Sequence, residues 1–302
     1  MIGAIFSNHQ SMRIGIHGKE VKGQQIKFIE SLFALLSERK VDVRVSSRFA
    51  KYLRPNRFSQ YKIGTFDLGD NLKSLDAFIS LGGDGTLLDS ITYIGKNETP
   101  ILGINTGRMG FLATISRDET EKAIDHLLKG TYQTDSRTVV SLISDNQLFE
   151  GLNFGLNDFT IMKKDTSSMI NVHVFVDHEL LNSYWADGII VATPTGSTGY
   201  SLSCGGPLLY PRAESFVITP VSPHNLTARP IVVSDESEIS FHIEGRSKKF
   251  LISLDSRVES IDGTTNLRVK KAKFKVHLIQ LPGQHYFKTL RQKLNWGLDI
   301  RN

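Results

Sequence analysis

Over the first 130 residues the apolar positions alternate between two periods. Met12-Arg13-Ile14-Gly15-Ile16-His17-Gly18 reads as a strand ending in glycine, Ile26, Ile29, Phe33 and Leu36 recur at helical spacing, and Val41-Asp42-Val43-Arg44-Val45 alternates as a second strand. This order predicts a βαβ unit with a right-handed crossover. The apolar run 76–81, a helix begun by Thr86, the strand Pro100-Ile101-Leu102-Gly103-Ile104 and another helix extend the pattern. That last helix is announced by Ser116-Arg117-Asp118-Glu119, a capping-box sequence ahead of Ala123, Ile124, Leu127 and Leu128. Residues 1–130 are therefore expected to form an α/β N-terminal domain with an open, mainly parallel sheet. Met1 to Ser11 show no periodicity, which leaves Met12 as an alternative start.

Beyond residue 131 the period becomes two. Val139 to Ile143, Met169 to Val176, Glu238 to Ile243, Phe250 to Leu254 and Leu267 to Leu281 alternate, with Glu244-Gly245 and Asp262-Gly263 as turns between them. Residues 131–283 are thus predicted to be a predominantly antiparallel β C-terminal domain. Phe287, Leu290, Leu294 and Leu298 return to helical spacing, so 284–302 is expected to be an amphipathic helix able to pack back on the first domain.

Composition narrows the class. Hydrophobic residues make up 40% and charged residues 22% of 302 positions, an ordinary globular balance, and the length favours two domains over one core. No apolar run approaches ~18 residues and no basic-then-apolar leader is present, so a cytoplasmic protein without a membrane segment is expected. Cys204 is the only cysteine, which excludes an internal disulfide framework and a Cys-based zinc cluster and reads as a buried structural thiol. The 36 Lys+Arg against 31 Asp+Glu give a formal charge of +5, suited to an anionic ligand without requiring nucleic acid. The densest basic run, Arg268 to Lys275, is expected to place Lys271, Lys273 and Lys275 on one face of a strand as edge protection. No nucleic-acid module is visible, and no nucleic-acid partner is expected.

The candidate chemistry starts where the apolar strand ending at Leu81 meets Gly82-Gly83-Asp84-Gly85-Thr86. Glycines let backbone N–H groups approach a polyanion, and ligands of open α/β sheets bind at the carboxyl ends of strands. Gly103-Ile104-Asn105-Thr106-Gly107-Arg108-Met109-Gly110-Phe111 leaves the next strand in the same way, so both loops are expected to face one crevice. Gly82, Gly83, Asn105 and Gly107 are its phosphate-contacting or purely turn-forming members.

The β half contributes Asn157-Asp158 and the segment Asp187 to Ser203. Between Thr193 and Ser203 lie six hydroxyl side chains besides Tyr200, interrupted by Gly196 and Gly199. Short hydroxyls can line a polar ligand, and the Asp187 carboxylate can take both hydroxyls of a ribose or an adenine amino group. His224, in the proline-flanked stretch Pro220 to Pro230, reads as structural. Metal-ligand spacings, a Gly-x-Ser-x-Gly elbow, a Walker A loop and Gly-x-Gly-x-x-Gly are all missing, so no protein-held metal is assigned.

Taken together these segments resemble the NAD kinase family. Its Gly-Gly-Asp-Gly-Thr motif appears at Gly82 to Thr86, its Gly-Ile-Asn-x-Gly-x-x-Gly-Phe-Leu at Gly103 to Leu112, and its Asn-Asp/Glu pair at Asn157-Asp158. Its glycine- and hydroxyl-rich signature matches Asp187 to Ser203, and Pro-His-x-Leu-x-x-Arg-Pro matches Pro223 to Pro230. The resemblance implies transfer of the γ-phosphoryl of ATP, or of polyphosphate in some members, to the 2′-hydroxyl of the adenosine ribose of NAD, giving NADP. It implies Asp84 as general base with Gly85 beside it, Asn157 and Asp158 holding NAD, and Asp187 at its adenine or ribose end. Thr195, Thr198, Gly199, Tyr200, Ser201, Leu202 and Ser203 would form the pocket. Mg2+ bridging the ATP phosphates is implied too, as is a homodimer or homotetramer built through the β domains. Four positions depart from the commoner pattern: Asp89, where many members carry a basic or polar residue; Trp185, replacing a small or basic one; Gly199, replacing alanine; and Arg257, replacing glutamine and still expected to touch NAD.

Two other readings share part of this pattern. A lipid kinase of the diacylglycerol type has a Gly-Gly-Asp-Gly loop but calls for an apolar acceptor cleft or an interfacial helix, whereas Asn157-Asp158 and the hydroxyl-rich loop suit a polar nucleotide. A non-catalytic nucleotide-sensing module would keep the pocket and lose the carboxylate at 84, which is present.

Overall fold

The computed structural model describes residues 11–20, 23–53, 55–107, 110–164 and 168–297. The chain divides into two compact units, Met1–Ser136 with Val276–Asn302, and Arg137–Lys275.

In the first unit β1 (Arg13–Gly18), α1 (Gln24–Glu38) and β2 (Asp42–Ser46) form the βαβ unit, followed by α2 (Ser47–Ala50), α3 (Pro55–Phe58) and β3 (Ile63–Phe66). Next come β4 (Ala77–Leu81), α4 (Asp84–Ile94), β5 (Ile101–Ile104), α5 (Thr120–Leu128) and β6 (Gln133–Arg137). The pairs β1–β2, β2–β3, β1–β4 and β4–β5 are all parallel. Every residue of β4 is buried, as a strand covered on both faces requires. Helix α1 delivers Ile29, Leu32, Phe33 and Leu36 to the same core as Ile14, Ile16 and Ile79. The capping box forms: the Ser116 N–H and hydroxyl donate to Glu119 at 3.0 and 2.7 Å, and these two bonds hold the Glu119 carboxyl below its usual pKa. The box opens a 3-10 turn, Arg117–Glu119, that leads into α5.

The strand order β3-β2-β1-β4-β5 carries the consequence for function. The chain winds outward from β1 through β2 and β3, then restarts at β4 on the other side of β1. The order reverses between β1 and β4, and in open α/β sheets the crevice at such a reversal is where ligands bind.

The second unit holds β7 (Val140–Ser144), β8 (Phe154–Gly155), β9 (Asp158–Lys163), β10 (Ile170–Val176), β11 (Glu179–Ala186), β12 (Gly188–Ala192), α6 (Tyr200–Ser203) and β13 (Ser215–Val221). It continues with β14 (Ile231–Ser234), β15 (Ile239–Glu244), β16 (Lys249–Leu254), β17 (Arg257–Asp262) and β18 (Leu267–Lys271). Two sheets result, β11-β10-β15-β18-β7-β8 and β14-β13-β12-β9-β16-β17, and their recorded pairings are antiparallel. They share one core: Val172, Phe241 and Val269 come from the first, Phe159, Ile189, Phe216 and Ile252 from the second. β12 is buried throughout because Ile189 and Val191 enter that core while Ile190 and Ala192 pack with Val217 and Val221 on its other face.

The stretch Leu267 to Leu281 is not one strand. β18 ends at Lys271, the Ala272 N–H turns to the Val139 carbonyl at 2.8 Å, and β19 (Val276–Gln280) joins the first sheet parallel to β5. Alternation with the same period on both sides of the bend leaves no mark in the sequence. The expected basic strand face is corrected accordingly: Lys273 and Lys275 lie in the bend, and Lys271 is spent on the buried Asp235 at 3.1 Å and on Glu236 at 2.6 Å. Helix α7 (Tyr286–Leu294) buries Leu290, and its Lys293 ammonium lies 6.0 Å from the Phe111 ring. Leu298 of the expected helix falls outside the described residues. No helix among the described residues is long and apolar enough to cross a membrane.

Candidate functional site

At the end of β4 the backbone must turn sharply into α4. A Cβ on Gly82 would overlap the buried Thr86 side chain, and the Gly83 carbonyl accepts the Thr86 and Leu87 N–H groups at 3.0 and 3.2 Å. Asp84 follows as the first helical residue, where the helix N-terminus favours a negative charge. Its Oδ2 accepts the Phe111 N–H at 2.7 Å, and its Oδ1 accepts those of Leu112 and Ala113 at 3.0 Å each. Gly110 makes room for this, since a Cβ there would overlap the Asp84 carboxylate. The two glycine loops predicted to share a crevice are thus joined by Asp84 itself.

Asn105 is buried and builds the second loop from inside. Its amide donates to the Ala113 carbonyl at 3.3 Å and accepts the Gly107 N–H at 2.7 Å, and the Arg117 guanidinium donates to the Thr106 carbonyl. Gly85 and Gly107 are exposed. Arg108 and Met109 of this motif fall outside the described residues.

The second unit uses the same device. Asp255, at φ +53° in the turn between β16 and β17, accepts the Leu156, Asn157 and Asp158 N–H groups at 2.9, 2.7 and 3.3 Å. Its own N–H returns to the Asp158 carbonyl at 3.0 Å. Arg257 donates to the Leu152 and Phe154 carbonyls and lies over the Phe149 and Phe154 rings, so its guanidinium holds the corner before Asn157. The Asn157 carbonyl accepts the Thr193 N–H at 2.8 Å, and a Cβ on Gly196 would overlap that carbonyl. The Asn157-Asp158 pair and the hydroxyl-rich loop therefore form one packed piece.

Most hydroxyls of that loop build it. Thr193 donates to the Leu156 carbonyl at 2.5 Å, Ser197 to the Pro194 carbonyl at 2.7 Å and Thr198 to the Thr195 carbonyl at 3.1 Å. Thr195 accepts from the buried Arg137 at 3.1 Å, and Ser201 bonds Thr219 at 2.8 Å. Gly199 and Leu202 are half-buried, while Tyr200 and Ser203 are exposed on α6. A hydroxyl has one donor and two acceptor sites, so Thr195 and Thr198 keep capacity for a ligand.

Carboxylates gather around Tyr200. Burial raises the Tyr200 pKa, with Cys204, Asp187 and Asp158 adding to the rise. Asp187 lies 2.6 Å from the Lys163 ammonium and is partly exposed. Asp158 is buried, and burial followed by the nearby Asp255 charge pushes its pKa up to about 7. Burial also raises Asp255, against the pull of its three N–H bonds and of Arg257. The second unit thus brings together Asn157, Asp158, Asp187, Thr195, Thr198 and Tyr200. Sequence reasoning missed Asp255, Arg137 and Lys163 as their supports. The signal for Asp255 was a lone acidic residue ending the apolar alternation of β16; Arg137 and Lys163 carried none. Among the described residues no group of three or more His, Cys, Asp or Glu could hold a metal ion.

Two families match the chain: the ATP-NAD kinase N-terminal domain over residues 14–132 and the ATP-NAD kinase C-terminal domain over residues 156–281. An NAD kinase of Cytophaga hutchinsonii is 50% identical over 292 residues, covering 96% of this chain and 100% of that protein. An NAD kinase of Flavobacterium johnsoniae is 42% identical over 294 residues with the same coverage. The fold is similar to that of a yeast NADH kinase complexed with NADH, with a TM-score of 0.83 and 22% identity over 97% of this chain and 90% of that one. It is similar also to an NAD kinase from Archaeoglobus fulgidus in complex with ATP, with a TM-score of 0.70 and 24% identity over 94% and 99% of the two chains.

Two outcomes follow from the packing around Asn157. Gly196→Ala drives a Cβ into a backbone carbonyl that cannot swing away, and is expected to cost about 1–3 kcal/mol, read as a lowered denaturant midpoint at unchanged slope. An alanine variant as stable as the parent would show that loop and pair are not in contact. Asp158 keeps its proton in the folded state up to about pH 7 but loses it near pH 4 when unfolded. Between these values the native state binds the extra proton, so this group makes stability fall as pH rises from about 4 to 7. Asp158→Asn is expected to flatten that fall in denaturation curves taken across the window; an unchanged slope contradicts the assignment.

Proposed function

The chain belongs to the NAD kinase family, and on that premise we propose that it transfers the γ-phosphoryl group of ATP to the 2′-hydroxyl of the adenosine ribose of NAD, giving NADP and ADP. The observation that carries this is the Asn157-Asp158 pair, fixed by Asp255 and packed on a hydroxyl-rich loop beside Asp187 and Tyr200. Such a surface offers hydrogen bonds to a sugar and a base and has no use for an acyl chain.

In this reading Asp187 accepts a ribose hydroxyl or the adenine amino group, with Lys163 holding its carboxylate in place. Asn157 and Asp158 bind NAD. Asp158, neutral below about pH 7, can donate as well as accept. Thr195, Thr198, Gly199, Tyr200, Ser201, Leu202 and Ser203 line the pocket, and Arg257 serves it through the corner at Leu152 and Phe154.

Asp84, with Gly85 beside it, is the proposed base on the 2′-hydroxyl. A carboxylate offers about four lone-pair sites, and backbone N–H groups take three of them, leaving one for the substrate proton. The 2′-oxygen forms a bond to the γ-phosphorus as the bridging bond to the β-phosphate breaks, and the hydroxyl proton goes to Asp84. Phosphoryl transfer depends mainly on positioning and charge neutralisation, so a carboxylate fixed at three points suits the task. We assign Mg2+ to the ATP phosphates it arrives with and name no residue for it. We also propose an assembly of two or four copies, as the family resemblance implies.

Purified protein with ATP, Mg2+ and NAD is expected to form NADP, read by an NADP-dependent dehydrogenase, with NADH and a diacylglycerol as parallel acceptors. NAD binding without NADP formation would favour the sensing module, and phosphorylated lipid would favour the lipid kinase. Asp84→Asn is expected to lower kcat by about a hundredfold or more. It also turns an amide N–H2 toward the 111–113 N–H groups, and so is expected to lose about 1–3 kcal/mol of stability. Turnover within a few-fold of the parent would remove Asp84 as the base, whatever the stability.

A further inference from the structure

We propose that Lys19 is a phosphate-binding residue of the donor-nucleotide site, its ammonium held at the mouth of the Gly82–Thr86 loop by Asp89. The proposal rests on the reading above that ATP is the donor, and adds a residue that the motifs do not contain. β1 and β4 are the two strands between which the sheet order reverses, and their register pairs Gly18 with Leu81. The next residues, Lys19 and Gly82, therefore leave the sheet side by side at its carboxyl edge, on the two lips of the crevice where a ligand binds.

The side chain of Lys19 closes this gap. A Cβ built on the exposed Gly85 lies 4.0 Å from the Lys19 Nζ, so the ammonium stands directly over the glycine loop. Asp89, four residues along α4 from Gly85, holds it at 2.8 Å. The Lys19 side chain is 50% exposed and that of Asp89 21%, so the pair opens to solvent on the cation's side. An ammonium has three donors, and one carboxylate leaves donors for a phosphate oxygen.

Stability gives little reason for the pair. An exposed ion pair contributes about 0–1 kcal/mol. His17, behind the pair, is buried with its pKa lowered to about 4 by burial, Asp89 raising it and Arg48 and Lys19 lowering it further, so it is neutral at pH 7. Arg48 is a second cation near this end of β1, where Asp89 and Asp67 are the acids felt by Tyr93 beside His17. With the loop's backbone and the start of α4 beside it, Lys19 supplies a positioned point charge for a polyphosphate.

Steady-state kinetics and calorimetry on the full chain test this. Lys19→Gln is expected to raise the KM for ATP about tenfold or more while the KM for NAD stays within twofold, at an unchanged melting temperature. Lys19→Arg is expected to retain most of the ATP affinity, and adding Asp89→Lys to Lys19→Gln to recover a large part by restoring a cation at the same place. In calorimetry Lys19→Gln should weaken ATP but not adenosine. An ATP KM within twofold of the parent overturns the proposal, as does an equal loss of ATP and adenosine affinity. Should the parent form no NADP, the kinase reading fails, while the ATP and adenosine titrations still decide the role of Lys19.

Discussion

One carboxylate accepting three successive backbone N–H groups is the interaction on which both units depend. Asp84 does this for Phe111, Leu112 and Ala113, and Asp255 does it for Leu156, Asn157 and Asp158. Charge-assisted hydrogen bonds are about twice as strong as neutral ones, and each N–H left unmet in a buried turn costs about 1–3 kcal/mol. An irregular turn has no ladder to satisfy its amides. A carboxylate can satisfy three of them at once, and so holds such a turn in a single conformation.

The small residues around these clamps follow from the same geometry. A Cβ at Gly110 would occupy the space of the Asp84 carboxylate, one at Gly155 would stand 3.0 Å from an Asp255 oxygen, and one at Gly196 would overlap the Asn157 carbonyl. These glycines serve close approach of backbone and carboxylate rather than loop motion. The hydroxyls of Ser197 and Thr198 likewise cap carbonyls of their own turn, and that of Thr193 ties the loop to the Leu156 carbonyl. A pocket so internally bonded is ordered before a ligand arrives, which lowers the entropy lost on binding.

The sequence made legible what is local. Ile29, Phe33 and Leu36 on one helical face, the fully apolar β4 and the Ser116–Glu119 box each declare themselves within a few residues. What stayed hidden depends on distant partners. Asp84 meets amides 27 to 29 residues away, and Asp255 meets amides 97 to 99 residues away, separations at which a single chain shows no pattern. The motifs therefore marked Asp84 and Asn157-Asp158 as important without revealing that carboxylates tie them down. The unbroken alternation from Leu267 to Leu281 concealed a crossing between two sheets for a related reason: strand period reports which face is buried, not which sheet the strand joins.

Carboxylates crowd the candidate sites of a chain whose proposed substrates are polyanions, and the resolution lies in where their charge goes. Asp84 spends it on three N–H groups, Asp89 on Lys19, Asp187 on Lys163, and Asp255 on three N–H groups with Arg257 nearby. Asp158 has no cation among the causes of its shift, and its pKa rises to about 7, so it sheds its charge by keeping a proton instead. Each acid thus positions backbone or a cation without presenting a bare negative charge to phosphate. Of the two lysines paired with these aspartates, Lys19 is the one more exposed than its partner, and it is the cation placed to meet a nucleotide's phosphates.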